Sequence, residues 1–309
     1  MPSFLAGVLA VLAAAIAWGL QLPIAKDAFD IVDPLHLTAL RYCIATLCLL
    51  PFLIWLEGSQ AVSYDGHSRE LVSYGIIGTC GSPVLVFIGM SMSRAESAAV
   101  IIATQPIMAA FAGWWLTGVR PRAFVVACLA AAFAGVVLVV TRGNLDLLQS
   151  PMDVLGSFIV LLGAAAWVVF TMGTRGFHGW SSWRITVMTL IPGAICGLII
   201  AYGTSWTLGT PIPTLSDIHS IAWELAYLSI IGVVLSILAW NFGNRIIGAL
   251  NATLLLTIMP VTAFAYRAAQ GQIPATIEVI GAAIVLSALI AHNLNERRVR
   301  LEAARGGAV

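Results

Sequence analysis

The sequence predicts an all-α polytopic membrane protein: ten transmembrane helices arranged as two inverted five-helix repeats. Three observations carry that reading. Of 309 residues, 60% are hydrophobic and 9% charged, whereas a soluble domain carries about 25% charged residues. Soluble packing cannot hide that much apolar surface. Apolar stretches of span length also recur, and at about 1.5 Å per residue some 20 residues cross a hydrocarbon core of ~30 Å. Finally, the chain echoes itself. A shift of 154 places Pro106 on Pro260, Ile76-Ile77-Gly78 on Ile230-Ile231-Gly232, Gly89 on Gly243, Ala98 on Ala252 and Ala109 on Ala263. A shift of 149 places Ala17-Trp18 on Ala166-Trp167.

Hydropathy sets the spans near 4–25, 36–56, 71–92, 97–117, 123–141, 154–174, 184–203, 222–243, 247–269 and 276–294. The repeats divide the chain into 1–150 and 151–309, the second with a short tail. The fourth span is the most informative. Residues 97–118 hold no charge, yet Gln105 and Pro106 sit near the middle. Proline cannot donate a backbone hydrogen bond, so it bends a helix and frees a carbonyl that needs a partner. Pro106 and its echo Pro260 are therefore candidate gating positions.

Arginine bias sets the orientation. With the N-terminus in the cytoplasm, Arg69, Arg120, Arg122, Arg175, Arg184, Arg245, Arg297, Arg298, Arg300 and Arg305 fall inside. Lys26, Arg41, Arg94, Arg142 and Arg267 fall outside. Ten spans return both termini to the cytoplasm. Five is odd, so the two units have opposite orientation, a common plan of secondary transporters. The start, MPSFLAG, lacks the basic residues of a cleaved signal, so the first helix is expected to be retained.

Several classes find no support. Net charge is +1, with no hint of nucleic-acid binding. The cysteines (Cys43, Cys48, Cys80, Cys128 and Cys196) are odd in number and lie in apolar runs without CxxC, so neither a disulfide framework nor a zinc site is indicated. His36, His67, His178, His219 and His292 stand at span ends or in loops. No hydrolase, metalloprotease or phosphate-loop motif occurs. The expectation is no enzyme, no metal and no cofactor.

Polar residues inside the spans are the candidates for binding. Trp18 and Trp167 lie deep in their spans, where an indole N–H needs an acceptor; they either pack in the core with a local hydrogen bond or form a platform for the substrate. Gln21, Gln105, Asn241, Asn244 and Asn251 are uncharged; they serve either interhelical hydrogen bonding or a neutral or zwitterionic ligand. Lys26 ends the first span and Arg41 lies about one turn inside the second. They either anchor at the interface, with Asp27, Asp30 or Asp33 as counter-ions, or form a cationic outer mouth that attracts a carboxylate. Glu224 and Glu278 begin spans and are expected at the membrane surface, which leaves no clear proton relay.

Trp18-Gly19, Lys26, Pro34 and Leu40-Arg41-Tyr42 resemble the start of the EamA-type repeat of the drug/metabolite transporter superfamily. Ala98 to Pro106 resembles its fourth helix, and Gly118 with the span holding Gly135 its fifth. Pro260, Gly271 and Gly281 fall in similar places of the second unit. Many members follow the fourth-to-fifth helix glycine with glutamate; Val119 and Gln272 stand there instead. The resemblance implies a ten-helix exporter of small metabolites in the bacterial inner membrane. It also implies a central cavity lined by helices one, three, four, six, eight and nine, which carry Trp18, Gln21, Gln105, Trp167 and Asn241. The chain is further similar to the aromatic amino-acid exporters of that superfamily. The expected function is export of amino acids, aromatic and other apolar ones included, by a monomer in the lipid bilayer working through alternating access. Drug-like cations or nucleotide-linked sugars are the alternative cargo. The first would want an intramembrane glutamate, the second more inward-facing basic residues.

Overall fold

The computed structural model describes residues 3–118, 120–142, 151–177 and 179–306. Val119, His178 and the expected division at residue 150 lie outside them. Helix α1 (Phe4–Ala28) starts at Ser3, whose side chain accepts from Ala6 N. Helix α2 (Pro34–Glu57) starts at Asp33, which accepts from Leu35 N at 2.8 Å, with Pro34 in the first turn. Both are N-caps satisfying a donor that the helix leaves orphaned. Gly58, at φ 82°, ends α2 in a conformation that favours glycine.

Helix α3 (Ser68–Met92) widens into i→i+5 turns over Gly75–Gly81. Then come α4 (Ala95–Ala103) and α5 (Gln105–Thr117), bent from each other by 45°. The bend falls where Pro106 was expected to impose one, and the Thr104 hydroxyl donates to Ile101 O at 2.7 Å beside the break. Helix α6 (Ala123–Thr141) closes the first half.

The second half retraces this order with α7 (Pro151–Gly173), α8 (Ser182–Leu208) and α9 (Ala222–Ile247), then α10 (Ala249–Leu255), α11 (Ile258–Ala269) and α12 (Thr276–Gly306). A short helix, Leu215–Ser220, lies between α8 and α9. Helix α9 widens over Tyr227–Leu235, the same place as in α3. Thr257 donates to Leu254 O at 2.7 Å beside the α10–α11 break, as Thr104 does in the first half.

Among the described residues, eight helices are long and apolar enough to cross a membrane, or nine with the bent α4–α5 pair as one span. The segment expected at 247–269 is two short helices, of 7 and 12 residues. Neither alone reaches the roughly 20 residues that a crossing needs.

Glycines set where helices touch. A Cβ on Gly89 (α3) would stand 2.5 Å from Gly156 O (α7), and one on Gly156 2.6 Å from Gly89 O. The echo of Gly89, Gly243 on α9, meets Gly7 O of α1 at 2.6 Å in the same sense. Gly135 (α6) and Gly281 (α12) also face each other, at 2.6 and 2.7 Å. Such backbone-to-backbone approach is how helices pack without large side chains. The main apolar core, with Leu22, Leu37, Phe87, Met90, Ile101 and Leu228, lies among α1, α2, α3, α4 and α9.

Candidate functional site

Helices α1, α2 and α3 meet around Arg41, through Gln21, Tyr42 and Phe87. Trp18 and Gln21 lie about one turn apart on α1, so they share a face. The Trp18 indole donates to Gly232 O in the wide-turn stretch of α9 at 3.0 Å, which supplies the acceptor that a deep indole requires. Its ring lies 5.5 Å from that of Trp240. Asn241, the next residue, is buried. Gly232 leaves room for Gln21: a Cβ there would stand 3.2 Å from Gln21 Oε1.

Arg41 is 3% exposed. It lies about two turns inside α2, further in than a residue at the rim. Its Nη1 donates to Gln21 Oε1 at 3.4 Å and its Nη2 to the Tyr42 hydroxyl at 3.3 Å, both long for hydrogen bonds. The guanidinium carbon lies 4.4 Å from the Phe87 ring centroid and 4.7 Å from that of Tyr42. Its Nε is buried without a partner. Among the described residues no carboxylate pairs with it: Asp27 and Asp33, expected as possible counter-ions, are engaged by Arg267 and His36.

A second cluster occupies the matching place in the other half. Gln105 Nε2 donates to Ala164 O on α7 at 3.5 Å. Trp167, three residues on, lies 5.0 Å from the Phe170 ring. Phe170 packs directly on Gly78 in the wide-turn stretch of α3, as Gln21 packs on Gly232. The structure thus brings Trp18, Gln21 and Arg41 together with Asn241 nearby, and separately pairs Gln105 with Trp167's helix. Pro106 lies at the α4–α5 bend and Pro260 in the first turn of α11. Asn251 donates to Ile247 O about one turn earlier, across the α9–α10 junction, at 2.7 Å.

Lys26 is held elsewhere. Its ammonium donates to Met90 O, to Ser91 O at 3.1 Å and to Ser93 O at 2.9 Å. It therefore caps the carbonyl end of α3, where the helix dipole favours a cation.

Beside it lies a charged network that the sequence did not reveal. Arg267 (α11) pairs with Asp27 (α1) at 2.7 Å and lies 3.8 Å from Glu96 (α4). Tyr266 and Gln270 both donate to Asp27 Oδ2 at 3.1 Å. Glu278 (α12), expected at the membrane surface, is 3% exposed: it pairs with Arg94, and with Arg142 at 3.3 Å. Each of these ion pairs joins the first half to the second. Together they line a cleft of about 740 Å³. The only signal in the sequence was charge placed beside apolar span ends.

The opposite end is held more lightly. Arg184 pairs with Asp65 at 2.6 Å, donates to Ser63 O at 2.6 Å and stacks 3.7 Å over Trp180. The Ser63 hydroxyl and the Arg184 guanidinium hold the Asp65 carboxyl below its usual range.

The family profile described as "EamA-like transporter family" matches twice, over residues 5–141 and 154–294. The "Uncharacterized transporter YrdR" of Bacillus subtilis (strain 168) is 27% identical, covering 94% of this chain and 92% of that protein. The "Uncharacterized inner membrane transporter YedA" of Escherichia coli (strain K12) is 24% identical over 82% and 79%. A solved chain described as "Crystal structure of protein" superposes with a TM-score of 0.65 at 20% identity, covering 95% of this chain and 98% of that one. This last likeness concerns the fold alone.

Proposed function

The chain belongs to the EamA-like transporter family, and on that premise we propose that it exports amino acids across a bacterial inner membrane, aromatic and other apolar ones included. Ten crossings, with the broken α4–α5 and α10–α11 pairs each counted once, form two inverted five-helix units with both termini in the cytoplasm. The protein works as a monomer by alternating access.

The observation that carries this reading is the duplicated junction. Helix α1 meets the wide turn of α9 as α7 meets that of α3, with Trp18 and Gln21 at one junction and Trp167 and Phe170 at the other. Two equivalent junctions support two equivalent accessible states, the requirement of alternating access. Trp18 and Trp167 supply apolar surface to the cargo, while Gln21, Gln105 and Asn241 hydrogen-bond it. The bends at Pro106 and Pro260 move as hinges. The ion pairs of Asp27, Glu96 and Glu278 with Arg267, Arg94 and Arg142 hold one end shut between turnovers. The lighter Asp65–Arg184 contact leaves the other end freer to part.

The test is uptake of labelled phenylalanine, methionine and threonine into liposomes holding the purified protein, with and without a pH gradient. Saturable uptake of at least one supports the reading. No uptake of any by folded protein overturns the cargo.

A further inference from the structure

We propose that Arg41 is the binding site for a carboxylate on the transported molecule. The inference rests on the transport reading above, but it concerns one functional group and not the identity of the cargo.

A buried guanidinium gives up its hydration, and proteins offset this cost with a carboxylate or a full set of acceptors. Arg41 has neither: two long contacts to neutral oxygens, an orphaned Nε and no carboxylate partner among the described residues. The rings of Phe87 and Tyr42 stabilise the cation through their faces but take none of its N–H donors. Guanidinium is a planar fork, matched to the two oxygens of a carboxylate. A desolvated, incompletely satisfied cation inside a membrane protein marks a ligand path by default.

The surroundings fit such a ligand. Gln21 and Tyr42 already touch the guanidinium and offer further polar atoms to whatever it binds. Trp18, one turn from Gln21, supplies an apolar wall. Lys26 is committed to three carbonyls at the end of α3, so it does not compete for the same anion. The carboxylate completes the coordination of Arg41, and the rest of the cargo lies along the Trp18 side.

The experiment uses purified full-length protein in detergent and three probes read by equilibrium binding. Phenylalanine has both charges, phenylalaninamide lacks the carboxylate, and phenylacetate lacks the ammonium. The wild type is expected to bind phenylalanine at least about tenfold more tightly than phenylalaninamide, the scale of a lost charge-assisted pair. Arg41→Gln should erase that difference, and Arg41→Lys should retain part of it, because a point charge lacks the fork. Equal binding of phenylalanine and its amide by the wild type overturns the proposal, and this comparison needs no variant to fold. So does a folded Arg41→Gln protein that keeps the preference. Binding of phenylacetate but not phenylalanine, lost in Arg41→Gln, supports the carboxylate site and removes the amino-acid cargo. Failure of folded wild type to bind any carboxylate probe overturns the site.

Discussion

Arg267 lies 2.7 Å from Asp27 across the boundary between the two halves, although 240 residues separate them in the chain. Removing one partner of a largely buried pair leaves the other uncompensated, at about 3–5 kcal/mol when fully buried and less where, as with Asp27, one side is partly exposed. Arg267→Met should therefore lower the midpoint of thermal unfolding in detergent by several degrees. The reversed pair Asp27→Arg/Arg267→Asp should recover part of that loss. A reversed pair no better than the worse single variant would deny the contact an energetic role.

Glu278→Gln removes the charge that Arg94 and Arg142 share. If these pairs hold one end shut, a cysteine placed at Ala95, which lines the cleft but is buried, should react with a membrane-impermeant maleimide about tenfold faster in the Gln variant than with Glu278 intact, the equivalent of about 1.4 kcal/mol in the opening equilibrium. Unchanged labelling would argue that something other than charge closes the cleft.

The α4–α5 bend gives a separate test. Pro106→Ala restores a donor and lets the helix straighten. Transport should fall severalfold while unfolding stability stays within about 1 kcal/mol of the parent, since alanine favours helix. Full transport by the alanine variant would remove Pro106 from the gating mechanism.

Gln105 touches Ala164 O through one long hydrogen bond, a contact contributing about 1 kcal/mol or less. Gln105→Leu should insert and fold normally yet lower export. Normal export from a well-expressed variant would show that Gln105 only packs against α7.

The loop before α3 carries a pH dependence. Ser63 and Arg184 depress the Asp65 carboxyl, so its contribution to loop order is complete above the unfolded value, near pH 4. It is lost as pH falls through the lower folded value. Protection of residues 59–67 from hydrogen exchange, taken relative to the intrinsic amide rate, which itself slows toward acid, should therefore fall below about pH 4 in the parent. In Asp65→Asn that added acid sensitivity should be absent.

Most of the helical plan was legible because hydropathy and helix length are local properties. The duplication was legible from glycines and prolines, whose spacing reflects backbone needs, and Gly89 and Gly243 do make the same contact. The Trp18 acceptor was foreseen as a requirement, but not that Gly232 O would fill it. The ion pairs were opaque for a physical reason. Arg267, Asp27 and Glu96 belong to three separate helices, and no periodicity within one helix shows which charge another helix presents. Glu278 was expected at the membrane surface because it begins a span, a depth that burial within the protein does not contradict; the sequence did not show that Arg94 and Arg142 converge on it there. The break between α10 and α11 falls just before Pro260, the echo of Pro106, but apolar composition continues across it, so hydropathy alone reads one span.

The paired wide turns bear on how this chain came to be. A wide turn holds one residue more than the α-helix around it, and the helix on either side keeps its facing. Losing that residue closes the turn without rotating the downstream helix, so a one-residue gap among relatives at Gly75–Gly81 or Tyr227–Leu235 leaves the fold intact. It would, however, withdraw the widened backbone that receives Phe170 or Gln21. The surplus stands at equivalent places in both halves, so a single insertion in an ancestral half, copied when that half was doubled, accounts for both.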